Sequence, residues 1–187
     1  MTHLSQEEYL NAENMDRYFA ILAEKILKAG IGKHTILVVG GAAMALKFQD
    51  SRSTVDIDIC YREQNKLYKC CLKVAEECGL PKDWVNADVM HSETFSYNLF
   101  TNAVFYKSYE DILDVYVACD LDLYCMKMVS FRPKDVQDLE MLAGRLREEQ
   151  ITPEMVQEHF VRLYGDSYLL ENDRRKKRLM ENQLNKR

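Results

Sequence analysis

The chain has 187 residues, 47% of them hydrophobic, and a formal net charge of −5. That is enough apolar material for one globular domain with a sizeable core, and no apolar run approaches the roughly 18–20 residues that a membrane-spanning helix needs. The acidic balance excludes a chain-wide electrostatic footprint for nucleic acid, because basic residues concentrate in 171–187, where seven Lys/Arg stand against three Asp/Glu.

The first ten residues, MTHLSQEEYL, are polar and acidic and carry no signal-peptide pattern. Ser5 to Glu8 reads as a capping box opening a helix of about 24 residues, which Ala29-Gly30 and Gly32 end. Its apolar positions, Tyr9, Leu10, Tyr18, Phe19, Leu22, Ile26 and Leu27, share roughly one face. Six cysteines, at 60, 70, 71, 78, 119 and 125, form no C-x-x-C pair and have no His at zinc spacing, so they read as reduced thiols of a cytoplasmic protein.

Ile36 to Val39 is a β-branched apolar run and predicts a buried strand; Gly40 and Gly41 follow at once, then the helix formers Ala42 to Leu46. After a polar break over Gln49 to Ser53, the segment Thr54 to Cys60 alternates strictly. On a strand that alternation turns Asp56 and Asp58 to one side and Val55, Ile57 and Ile59 to the core. Two carboxylates on one strand face repel each other, and a divalent cation relieves this; Mg2+ takes oxygen ligands, commonly one or two carboxylates plus substrate phosphates. The glycines let the backbone approach a phosphate closely, and the helix behind them presents unpaired N–H groups with a positive dipole end.

Further along, Asn65 to Leu80 predicts an amphipathic helix ended by Gly79 and Pro81, and Trp84 to Met90 a strand with Trp84, Asn86 and Asp88 on one face. His91 to Thr101 reads as a loop over or near the site. Ala103–Tyr106 and Ile112–Ala118 predict two strands joined by a turn around Ser108 to Asp111. Asp120 is placed to cap a helix beginning at Leu121, in which Lys127 interrupts an apolar face. Pro133 breaks that helix and starts another, where Asp135 and Asp138 share a face. Thr152-Pro153-Glu154 opens a further helix, with His159 a surface or semi-buried residue on it. Arg174 to Arg178 (RRKKR) reads as a solvated helix end, with a local RNA contact as the other reading.

Gly40-Gly41, an interval of fourteen residues, then Asp56-Ile57-Asp58-Ile59 resembles the signature of the polymerase-β-type nucleotidyltransferase superfamily. Arg52-Ser53-Thr54 just before the acids, and Lys127, Arg132, Asp135 and Asp138 with Leu139 after them, are similar to the AbiEii-type toxin nucleotidyltransferases of toxin–antitoxin systems. The resemblance implies transfer of a nucleoside monophosphate from an NTP such as ATP to an acceptor hydroxyl (RNA, protein or small molecule), with a possible antitoxin partner. It implies Asp56, Asp58 and Lys127 as the active centre, Mg2+ (two ions) on Asp56 and Asp58, and a third acid. Asp88 is the candidate for that acid and Asp114 the alternative. Gly40, Gly41, Arg52, Ser53 and Arg132 would hold the triphosphate. A catalytically inactive module of the same fold, binding a nucleotide or a protein partner, is the competing reading. The fold expected is α/β (α+β), a nucleotidyltransferase fold with a small mixed sheet flanked by helices over 1–119, a helical segment over 120–170 and a basic tail over 171–187.

Overall fold

The structure is a computed structural model and describes residues 9–48, 53–62, 66–166 and 173–186. The expected capping box at Ser5 to Glu8, and the residues Arg52 and Asn65, lie outside them. The chain divides into two compact units, residues 1–89 with 104–117, and residues 90–103 with 118–187.

The first unit is built on a five-stranded mixed sheet. Its first helix, α1 (Ala12–Ala29), starts at Asn11, whose side chain accepts from the Asn14 N–H at 3.0 Å while the Asn14 side chain accepts from the Asn11 N–H at 2.8 Å. This reciprocal pair satisfies two of the N–H groups that a helix start leaves without partners. Gly30, at φ +63°, ends the helix in the left-handed region that glycine occupies at little cost. Then follow β1 (His34–Val38), α2 (Gly40–Phe48), β2 (Ile57–Cys60), α3 (Tyr68–Cys78), β3 (Val85–Asn86), β4 (Val104–Tyr109) and β5 (Leu113–Val117). The strands lie in the order β3-β2-β1-β5-β4. β1 is central, antiparallel to β2 through Leu37↔Cys60 and parallel to β5 through Ile36↔Val115.

The core follows most of the apolar periodicity, although Tyr9 and Leu27, expected on the packed face of the first helix, are exposed. Tyr18, Phe19, Leu22 and Ile26 of α1, Ile36 to Val38 of β1 and Leu113, Val115 and Val117 of β5 are buried. Trp84, fully buried, donates its indole N–H to the Cys71 carbonyl at 3.0 Å and meets Tyr18 edge-on at 5.7 Å, so one side chain ties α3 to α1. The β4–β5 hairpin turns on Glu110 and Asp111, both at positive φ. Burial opposes ionisation of Asp16 on α1, but hydrogen bonds from Tyr109 and Lys107 and the Lys107 charge outweigh it and lower its pKa.

Two expectations shift here. The Trp84–Met90 strand is cut to Val85–Asn86, and Asp88 to His91 form a 3-10 turn instead. Val55, expected on the core side, is 52% exposed, because residues 55 and 56 form a bend and the strand begins only at Ile57.

The second unit is helical: α4 (Asp120–Ser130), α5 (Asp135–Glu148), α6 (Pro153–Tyr164) and α7 (Arg174–Leu184). Asp120, expected as the cap of α4, is its first residue; the cap is Cys119, whose sulfur accepts from the Asp122 N–H at 3.4 Å. Thr152 caps α6 with Pro153 at its first position. Residues 91–101, expected as a loop by the site, are anchored to α6: the Asn98 amide donates to the Arg162 carbonyl at 2.7 Å, and the Tyr164 hydroxyl to the Thr94 carbonyl at 2.9 Å. His159 is buried, its Nε2 2.5 Å from Asp122 Oδ1. Asp120 is ion-paired to Arg145 at 2.8 Å.

Candidate functional site

The sequence places a glycine pair and an acidic pair far enough apart that only the fold can join them. It does so through β1, α2 and β2. β1 ends at Val38, and the Val39 N–H donates to the Asp58 carbonyl at 3.0 Å, extending the β1–β2 ladder to the edge of the glycines. Gly40 then turns the chain at φ +62°. A Cβ on Gly40 would stand 2.9 Å from Asp58 Oδ2, closer than real Cβ contacts come. Position 40 therefore favours glycine for its backbone angle, and any side chain there would displace the Asp58 carboxylate. The Gly40 backbone and the Asp58 side chain form one surface.

Gly41 has a different neighbour. Its missing Cβ would lie 3.0 Å from Thr54 Oγ1, so the absence of a side chain lets α2 seat against the segment entering β2. Thr54 is itself fixed by a two-way backbone bridge with Leu10, at 2.7 and 2.8 Å. Ala42, Ala43 and Ala45 are buried, and their small side chains allow α2 close packing. Gly40 and Gly41 themselves stay partly accessible. In α2 the Ala43 N–H bonds the Val39 carbonyl at 3.2 Å, so the N–H groups of Gly40, Gly41 and Ala42 precede the first intrahelical bond.

Asp56 and Asp58 are both half-buried and alternate with the buried Ile57 and Ile59. Asn86, which pairs with Asp58 across the parallel β2–β3 contact, donates its side-chain amide to Asp56 Oδ2 at 3.1 Å. From sequence this orienting amide has no role, the alternation placing Asn86 on one face with Trp84 and Asp88. Beside the pair, burial and the Asp58 carboxylate push the Cys60 thiol up to about 12, so it stays a neutral thiol.

The other expected residues are arranged as follows. Ser53 is exposed. Asp88 is exposed on the 3-10 turn, and its N–H donates to Asn86 Oδ1 at 3.1 Å. Asp114 accepts from Ser108 at 2.6 Å and pairs with Lys33 at 2.8 Å. Among the described residues no group of three or more His, Cys, Asp or Glu side chains is placed to hold a metal ion.

Lys127 and Arg132 belong to the second unit, and their charges are met there. Lys127, 5% exposed, pairs with Asp135 Oδ1 at 3.0 Å and Asp138 Oδ2 at 2.6 Å. Both acids that meet the Lys127 charge stand on the next helix. Arg132 reaches the same Asp135 through Nε at 2.9 Å and Nη2 at 3.2 Å, and Ser130 donates to it at 2.7 Å. Burial opposes ionisation of Asp135, but the bonds from Arg132, Ser130 and Lys127 outweigh it and hold its pKa well below the usual carboxylate range. The Lys-x4-Arg-x2-Asp-x2-Asp spacing thus closes on itself as one ionic cluster joining α4 to α5.

With this geometry in place, comparison with protein families decides the kinship. A family model described as a nucleotidyltransferase of unknown function (DUF6036) matches residues 18–183. The chain belongs to that nucleotidyltransferase family. Comparison with curated proteins and with solved structures finds no match. The mixed sheet with helices packed against it is consistent with a nucleotidyltransferase fold, and the matched span takes in Gly40, Gly41, Asp56 and Asp58 as well as α4 to α6. No helix among the described residues of this nucleotidyltransferase is long and apolar enough to cross a membrane.

Proposed function

We propose that this nucleotidyltransferase transfers a nucleoside monophosphate from an NTP to an acceptor hydroxyl with Mg2+ bound at Asp56 and Asp58, in the manner of the polymerase-β-type superfamily. The observation that carries this reading is the close approach of Gly40 to Asp58, which sets a phosphate-accessible backbone turn against a carboxylate. The donor set fits the ion: two half-buried carboxylates with a helix start beside them suit a hard cation whose remaining ligands are phosphate oxygens and water. When bound, Mg2+ supplies charge neutralisation at the reacting phosphate.

The chain's own contribution is positioning. N–H groups of Gly40, Gly41 and Ala42 receive the triphosphate at the positive end of α2. Asn86 holds the Asp56 carboxylate in place. In the transfer, the acceptor oxygen forms a bond to the α-phosphorus as the α–β anhydride bond breaks, pyrophosphate leaves, and the acceptor proton goes to solvent. Phosphoryl-type transfer depends mostly on positioning and electrostatics, so this small residue set is adequate in kind. An acceptor on RNA or protein, and service as a toxin held by an antitoxin, extend the same proposal.

The test is titration of ATP into the protein with and without Mg2+, for the parent and for Asp56→Asn and Asp58→Asn, paired with transfer from α-labelled NTP. Each substitution should remove Mg2+-dependent binding and labelling without lowering metal-free stability, since it relieves a repulsion. Undiminished Mg2+-dependent binding in both variants would overturn the assignment.

A further inference from the structure

Beyond the glycine–aspartate site, the second unit carries a groove that the transfer chemistry leaves unused. It lies along α7 and has a volume of about 540 Å³. Arg174, Arg175 and Arg178 line it, with Phe131, Val136 and Asn182. The three arginines are exposed, while the other side of α7 buries Met180, Gln183 and Leu184. The basic run is therefore part of an anchored helix: Met180, Gln183 and Leu184 seat α7, and the three exposed arginines share its other side. Asp173, the nearby acid, is engaged as the cap of α7 and accepts from the Arg175 and Lys176 N–H groups. Among the described residues no acidic side chain lines the groove.

Phe131 gives the groove its second property. It ends α4 in the left-handed conformation, at φ +43°, which a bulky residue adopts only where its surroundings hold it. Its ring meets the Arg175 guanidinium at 5.4 Å and the Lys176 ammonium at 5.2 Å. Lys176 is fixed in turn by donating to the Val129 carbonyl at 3.2 Å. A half-exposed aromatic ring with cations over it, in a groove whose charged lining among the described residues is arginine alone, offers a flat stacking surface next to phosphate-binding groups.

We propose that this groove binds single-stranded nucleic acid, with backbone phosphates on Arg174, Arg175 and Arg178 and a base stacked at Phe131. Stacking platforms combined with a cationic track are the recurring means of holding single strands without sequence preference. Charge complementarity argues for a polyanion, and the aromatic–guanidinium pair argues for bases over the carboxylates of an acidic peptide, which would use the charges alone. The −5 net charge of the chain gives no chain-wide attraction for a polyanion, so such binding is local. The inference does not rest on nucleotidyl transfer, because binding is read without NTP or Mg2+.

Fluorescence anisotropy with labelled oligouridylate and oligothymidylate of about twelve nucleotides, a duplex of the same length and a polyglutamate peptide tests the proposal on the full chain. The single strands should bind with Kd between about 1 and 100 μM, with a salt slope near −2 for three phosphates. Arg174→Gln, Arg175→Gln and Arg178→Gln together should weaken binding at least about tenfold and flatten the slope. Phe131→Ala, with the arginines intact, should cost about tenfold and leave the slope unchanged. Lys69→Gln, Lys73→Gln and Lys82→Gln together change net charge equally on exposed positions elsewhere and should leave binding as it was. Equal binding of the two oligomers assigns the contacts to phosphate and base; preference for oligouridylate adds the 2′-hydroxyl, and either result supports the groove. Absence of binding overturns it, as do equal losses in the Lys69/Lys73/Lys82 variant, duplex binding that Phe131→Ala leaves untouched, or polyglutamate bound as tightly. Circular dichroism of each variant confirms that a loss of binding is not a loss of fold.

Discussion

Lys127→Met is the substitution that best separates a structural lysine from a phosphate-binding one. Methionine keeps the length and apolar bulk of the lysine stem and deletes its charge. In the structure that charge makes two short contacts, to Asp135 at 3.0 Å and Asp138 at 2.6 Å, with Asp135 fully buried. A hydrogen bond to a charged group contributes about 1.5–3 kcal/mol, and breaking a buried pair costs about 3–5 kcal/mol. The full cost does not apply here. Asp135 keeps Ser130 and the Arg132 backbone and guanidinium donors, and Asp138 retains some exposure. The expected loss is therefore about 2–4 kcal/mol, read as a lowered urea midpoint at neutral pH, with Tm lower by about 5–15 °C. Combining Lys127→Met with Asp138→Asn should cost less than the sum of the two, because both remove the same contact. A Lys127→Met protein within about 0.5 kcal/mol of the parent, with weakened nucleotide binding, would refute the structural role and return Lys127 to the phosphates.

Gly40→Ala should destabilise the protein by about 1–3 kcal/mol, from the left-handed backbone alone. It should also displace the Asp58 carboxylate and weaken Mg2+-dependent ATP binding by at least about tenfold; calorimetric titration that finds affinity unchanged would separate the glycine from the acid. Acid should loosen the α4–α5 cluster. The pKa of Asp135 is depressed in the fold, so its stabilising contribution is complete above the ordinary carboxyl value of about 3.9 and is lost as pH falls toward the folded value. Asp135→Asn should flatten the decline of stability below that pH in denaturant titrations, and an unchanged acid limb would assign the loss to other carboxylates.

The parts of the molecule that were legible in sequence are those where one local rule governs. Ile36 to Val39, the glycine pair and the alternation at Ile57 and Ile59 each follow from backbone period and side-chain size, so the strand–turn–helix–strand unit and its acids could be read directly. Where tertiary partners decide, the reading fell short. Asn11 opens the described helix because its capping box with Asn14 forms at the point where Leu10 bridges to Thr54. The alternation over Trp84 to Met90 satisfied the strand pattern, yet only Val85 and Asn86 find a partner strand, and Asn86 caps the turn that carries Asp88. Lys127 on an apolar face showed correctly that a buried cation needs a partner. Asp135 and Asp138 of the next helix supply it.

The sheet order also sets a timetable for assembly. β1 meets β2 after a single short helix, whereas its parallel pairing with β5 must wait until α2, β2, α3, β3 and β4 have all been made. Closing the larger loop costs more chain entropy, and such non-local pairings slow folding. The contact between Gly40 and Asp58 falls inside the shorter closure. A nascent chain that has emerged only through β2 already contains both halves of that contact, while the strand that will flank β1 on its other side has still to be made.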